Sequence, residues 1–340
     1  MDRFIQEIPK AELHIHIEGS LEPEMMFDLA HRNGISLPFS SVEATRQADK
    51  VENLHSFFII YFAGASVLVT EQDFYDLTWA YLQRAKTDNI RHTEIFFDPQ
   101  THCDRGISFE TVIKGIHDAL EDGKQKLGIS SHLILCFLRH KTPLDAMEIL
   151  RKAIPFKDWI IGVGLDSSEV GHPPSKFVEV FNEARKAGFV TVAHAGEEGP
   201  TGYIWEALNL LKVSRIDHGV RCTEDPKLVV ELGKTQVPLT VCPLSNVKLK
   251  VFPTMEKHNL KTMLNLGLCV TVNSDDPAYF GGYIADNYRA VSSALLLNHQ
   301  EVYQLAQNSF KASFLSDEAQ GKLLQELTDF MSTYVDKLRD

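Results

Sequence analysis

The stretch AELHIHIEGSLEPE places two histidines, His14 and His16, two residues apart, with Glu18 two further on. Alternate residues of a β-strand share a face, so both imidazoles point the same way and their spacing suits two ligands on one cation. An HxH pair is also an ordinary strand pattern, and the rest of the chain has to decide. Similar residue types recur in VAHAGEEGP (His194, Glu197), RIDHGVR (His218) and VNSDDPAYF (Asp275, Asp276). Each segment alone has a plain structural explanation, because a strand-end histidine can bond a neighbouring carbonyl and SDDP reads as a turn. A fold that carries all four segments to one rim makes them a metal centre.

Three imidazoles and one carboxylate, from His14, His16, His194 and Asp275, suit zinc, with iron or another divalent metal as the alternative. Asp275, Asp276 and Glu197 would repel one another at an enclosed mouth, and a divalent cation removes that cost. Zinc lowers the pKa of bound water from about 15.7 to about 7. His218, beside that water but not a ligand, then orients it, takes its proton and stabilises the anion. Asp275, with one oxygen on the metal, is a second group to share that proton. Glu197, if buried enough to be protonated, donates to the substrate. Asp276 cannot share the direction of Asp275 in an extended strand, so it touches substrate. The expected reaction is hydrolysis at an electrophilic carbon next to a protonatable nitrogen.

The elements that must position these groups are legible as a rhythm of short apolar runs and longer amphipathic ones. Candidate strands are AELHIHIE, IRHTEIFFD, SHLILCFLR, IIGVGLDS, FVTVAHAG, RIDHGV, VPLTVCPLS and LCVTVNSDD, most of them separated by helical periodicity. That alternation calls for a parallel sheet, and eight units suggest a closed (β/α)8 TIM barrel whose active site lies at the C-terminal strand ends. The GxGxxG of a dinucleotide fold is absent after the first strand, where EGSLEPE stands. The connection from Leu21 to about Asn89 is long enough for extra helices, including the apolar run Phe57–Val69 over the mouth. Further helices cap the C-terminus, and residues 1–340 read as one domain.

Composition bounds the partners. The chain is 44% hydrophobic and 24% charged with a net charge of −12, and it shows no run of Lys and Arg for phosphates. Nucleic acid and anionic membrane are therefore not expected as partners. Five scattered cysteines (103, 136, 222, 242 and 269) without a CxxC, and an N-terminus without an apolar signal segment, point to a cytoplasmic protein.

In their order, ELHIHIEGSLEPE, VAHAGE, RIDHGV, CPLSN and TVNSDDPAYF resemble the adenosine/adenine deaminase family of metal-dependent amidohydrolases, over nearly the whole chain. GLDSSEVGHPPSKF and DPAYFGGY resemble the branch acting on the free base. The resemblance implies a zinc aminohydrolase whose activated water attacks purine C6, turning adenine into hypoxanthine and ammonia in purine salvage. It implies His14, His16, His194 and Asp275 as metal ligands, Glu197 as proton donor to N1, His218 as the group assisting the water, and Asp276 as the partner of N7. A small purine base is the implied partner, and the oligomeric state is left open. Alternatives are the same chemistry on adenosine or on an N6-substituted, cytokinin-type adenine, and more remotely a purine-binding barrel without turnover. Where adenosine-specific members carry HxHLDG, with an aspartate on the ribose, this chain has Glu18. The longer carboxylate is expected to occupy space near N9 or to accept its proton, admitting the base and excluding the nucleoside. Ser168, Glu169 and His172 line the purine pocket or form a solvated loop, Phe62 or Phe97 stacks on the ring or packs in the core, and Ser245 and Asn246 brace the rim.

Overall fold

The computed structural model describes residues 1–48 and 54–337, so part of the long first connection and the last three residues lie outside the described residues. The expected strands are present as β1 (Lys10–His16), β2 (Ile90–Phe97), β3 (Ser130–Leu138), β4 (Ile160–Asp166), β5 (Val190–Ala195), β6 (Arg215–His218), β7 (Leu239–Val241) and β8 (Val270–Val272). They pair in parallel and in chain order, and nearly every strand position is buried because helices cover the outer face and side chains fill the interior. The helices form where apolar positions repeat every three or four residues between caps. In Phe109–Asp122, for example, Val112, Ile113, Ile116 and Leu120 face inward, while the Ser108 hydroxyl accepts the Thr111 N–H at 3.0 Å.

The seam between β8 and β1 explains how the barrel closes. Near the bottom, side chains replace the ladder: Leu13 N–H donates to Asn273 Oδ1 and Ala11 N–H to Ser309 Oγ, both at 2.9 Å. Ser309 belongs to the helix His299–Lys311, whose Asn308 amide also reaches the Val270 carbonyl at 2.9 Å. At the top the backbone takes over. The Asp275 N–H donates to the His14 carbonyl at 3.1 Å, and the His16 N–H donates to the Asp275 carbonyl at 3.0 Å. Closure of the barrel and juxtaposition of His14, His16 and Asp275 are the same event.

The first connection contributes helices Pro23–Asn33, Val42–Ala48, Leu54–Ala65 and Glu71–Thr87. Leu54–Ala65 lies over the mouth, with Phe57, Tyr61 and Phe62 lining the cavity beneath it. Among the described residues no helix is long and apolar enough to cross a membrane, and all five cysteines are free.

Candidate metal and catalytic site

The four expected ligands converge. His14 Nε2 lies 3.1 Å from Asp275 Oδ1, His16 Nε2 lies 3.5 Å from the same oxygen, and the Nε2 atoms of His16 and His194 are 3.2 Å apart. Their Nδ1 atoms face outward onto acceptors. That of His14 meets the Thr240 hydroxyl at 2.9 Å, that of His16 lies 3.6 Å from Asp166 Oδ2, and that of His194 lies 3.5 Å from Asp217 Oδ2. The Thr240 hydroxyl donates to Asp217 Oδ1 at 3.0 Å, so it is free to accept from His14. Protons on Nδ1 leave lone pairs on all three Nε2 atoms, pointed at one another across a few ångströms. Burial, together with the neighbouring imidazoles, keeps His14 and His16 below the ordinary histidine pKa, hence neutral. Inward lone pairs and a carboxylate oxygen repel without a cation between them; the donor set and its outer carboxylates fit a divalent metal.

His218 differs from these three. Leu260 N–H donates to His258 Nδ1 at 3.1 Å, so His258 carries its proton on Nε2 and donates to Asn246 Oδ1 at 3.2 Å. The Asn246 amide is thereby oriented to donate to His218 Nδ1 at 3.4 Å. His218 must then present an Nε2–H, which lies 3.6 Å from Glu197 Oε2 and 3.9 Å from Asp275 Oδ2. Burial holds its pKa well below the ordinary value. In that tautomer the inner nitrogen of the neutral imidazole bears hydrogen and is a donor towards the cavity. Both His218 and Asp275 adopt positive φ, 63° and 64°, a strained backbone for non-glycine residues that recurs where a site over-determines its geometry.

Glu197 and Asp276 are buried, and burial followed by the Asp275 charge raises both pKa values well above the carboxylate range. Both line the cavity beside His194, His218 and Asp275. Glu197 is placed by a residue whose role was open in the sequence. The Glu169 carboxylate accepts the N–H groups of Gly196, Glu197, Glu198 and Gly199 at 2.6–3.0 Å, clamping the loop after β5. Asn246 braces His218, as expected for the rim. Phe97 packs in the core between barrel and helices, whereas Phe62 lines the cavity.

Glu18 makes its hydrogen bonds behind the cavity wall. Its side chain is absent from the cavity lining found among the described residues. Oε1 accepts the Asp98 N–H at 3.1 Å and His102 Nε2–H at 2.9 Å, while Arg105 donates to His102 Nδ1 at 2.9 Å. Burial raises the Glu18 pKa to about 6. In the cavity wall stand Asp98, just past β2, and Asp166, ending β4. Sequence reasoning passed over both, although an aspartate at a strand tip was the signal used on β8.

A family model described as adenosine deaminase matches residues 9–330. An adenine deaminase of Crocosphaera subtropica is 61% identical over 323 residues, covering 95% of this chain and 99% of that protein. Among solved structures, the crystal structure of an adenine deaminase from Arthrobacter aurescens matches with a TM-score of 0.94 at 49% identity, covering 96% of this chain and 99% of that one. An amidohydrolase from Burkholderia ambifaria, with bound Zn, matches with a TM-score of 0.92 at 25% identity, covering 99% and 94%.

Proposed function

The chain belongs to the adenosine deaminase family, and from that premise we propose that it hydrolytically deaminates adenine to hypoxanthine and ammonia, acting as one catalytic domain. The convergence of His14, His16, His194 and Asp275 beside Glu197, whose pKa burial raises well above the carboxylate range, carries this reading. Relatives named adenine deaminase favour the free base over adenosine or an N6-substituted adenine. We read the metal as zinc, supported by three imidazoles with one carboxylate and by the zinc of the Burkholderia relative.

A divalent cation on that donor set supplies the Lewis acidity that makes water nucleophilic at neutral pH. The chain's own groups do the rest. Glu197 gives its proton to purine N1, which draws electrons from C6 and makes that carbon electrophilic. The Nε2–H of His218 donates to the attacking water oxygen and holds it against C6. Asp275 takes the proton that this water sheds and passes it to the departing amino group, which leaves as ammonia. The remaining hydroxyl proton at C6 returns to Glu197 as the carbonyl forms. Asp276, kept protonated by burial and its neighbours, donates to N7 and fixes the ring in the plane this attack requires.

Metal analysis of the purified protein, with ammonia release from adenine, adenosine and N6-methyladenine, tests the proposal. One zinc per chain and adenine as the preferred substrate are expected. Glu197→Gln should lower kcat by about a hundredfold or more while retaining the metal. Full activity of that variant, or silence of the wild type towards adenine, would overturn the reading.

A further inference from the structure

Two carboxylates unused by this mechanism face the same cavity. Asp98 and Asp166 are almost wholly buried, and each has one oxygen engaged. Tyr61 donates to Asp98 Oδ2 at 3.0 Å, and Asp166 Oδ2 lies 3.6 Å from His16 Nδ1. The other oxygen of each, Oδ1, is buried and accepts no N–H or hydroxyl of a described residue, while the two carboxyls are close enough to hydrogen-bond each other through one shared proton. Native interiors rarely leave such acceptors unmatched, and these two line the cavity beside His16, Glu197 and Asp276. One proton shared by the pair fills one of these acceptors, and an N–H donor on whatever occupies the cavity fills the other.

The proposed function says which donor. With C6 at the metal wall, N1 on Glu197 and N7 on Asp276, a bound adenine turns its N3–N9 edge to the remaining polar wall. In the neutral 9H base, N9–H is the only ring N–H. We propose that Asp98 and Asp166 accept the N9–H of the free base and are the residues that exclude N9-substituted purines. A substituent at N9 removes the donor and sets carbon against two buried oxygens, a repulsive as well as a missing contact. Glu18 acts as a positioning residue: held by the Arg105–His102 chain, it fixes the Asp98 backbone N–H. This inference rests on the adenine reading and goes beyond it by assigning the selection against nucleosides.

The test compares adenine with 9-methyladenine, which keeps C6, N1 and N7 and lacks only the N9 hydrogen. Metal-loaded wild type should prefer adenine in kcat/KM by about a thousandfold or more, as a site built to bond a substrate N–H does. Asp98→Asn and Asp166→Asn, equal in size and compared at full metal loading because Asp166 also faces His16, should raise KM for adenine by about tenfold with a smaller change in kcat. Asp98→Ala should narrow the preference over 9-methyladenine by about tenfold or more. Should the alanine variant fail to fold, the two asparagine variants carry the same comparison. An unchanged preference in the folded variants would overturn the inference and leave adenine deamination standing. So would a wild type that uses 9-methyladenine as well as adenine. A wild type inert towards adenine would overturn both. Two metal ions per wild-type chain, one of them lost in Asp98→Asn, would reveal a second cation site and overturn the N9 assignment alone.

Discussion

Asp217 Oδ2 lies 3.5 Å from Nδ1 of His194, and through the Thr240 hydroxyl on its other oxygen the same carboxylate reaches His14. One buried anion thus sets the tautomer of two proposed ligands. Its pKa stays below the ordinary aspartate value: burial pushes it up, but the nearby His194 imidazole and Arg215 outweigh burial. Asp217→Asn keeps the size and turns an acceptor into a donor. Metal affinity, read by competition with a chelator, should fall by about 10–100-fold. An unchanged affinity would mean that the ring orientations are set elsewhere.

Gly19 makes a second prediction. A Cβ built there would overlap Asp276 Oδ1 and meet Asp276 Cβ at 2.6 Å, so rotating the carboxyl away does not relieve the clash. Gly19→Ala must displace Asp276 bodily while leaving the metal set in place. Displacement of a positioning group by about 1 Å costs about a hundredfold in rate, and kcat/KM for adenine should fall by that order with metal content unchanged. Wild-type kinetics in this variant would remove Asp276 from the substrate-binding role.

Glu169 tests whether the loop after β5 needs its anion. Four backbone N–H groups converge on two oxygens, and glutamine offers one acceptor while aiming an NH2 at the rest. Hydrogen bonds to a charged group contribute about 1.5–3 kcal/mol, so Glu169→Gln should lose about 2–3 kcal/mol in urea unfolding. It should also lower kcat more than it raises KM, because Glu197 is the residue displaced. Equal stability with normal kcat would show that the loop holds itself.

Which of these residues the sequence announces follows from the range of the interaction that places them. The β/α rhythm and the His and Asp residues at the tips of β1, β5, β6 and β8 are local patterns, and they yield both the barrel and the four converging ligands. The same rule extended to β2 and β4 finds Asp98 and Asp166. Glu169 is different. Its role depends on the loop Gly196–Gly199 folding back onto it, and no spacing encodes that. The Arg105–His102–Glu18 chain joins residues 84 apart in sequence, so the motif alone does not show that Glu18 holds the Asp98 backbone. The donor tautomer of His218 depends on Asn246 and His258, which are ordinary polar residues until their contacts are known.

His258 also carries a pH dependence with a definite sign. Burial lowers its pKa from 6.5 to about 3. Between those values the unfolded chain binds a proton at this position and the folded chain does not. Stability is therefore lost as pH falls from 6.5 towards 3, by about 1.4 kcal/mol per pH unit for one such group. His258→Gln removes the titration yet keeps an amide donor for Asn246 Oδ1. Urea unfolding at several pH values between 6.5 and 4.5, at equal metal loading, should show a shallower acid loss in the variant by about that slope. At pH 7 the variant should keep most of its activity, because the Asn246 amide remains oriented towards His218. Parallel acid slopes in the two proteins would mean that His258 does not stay neutral in the fold, and the donor chain that assigns the His218 tautomer would lose its first link.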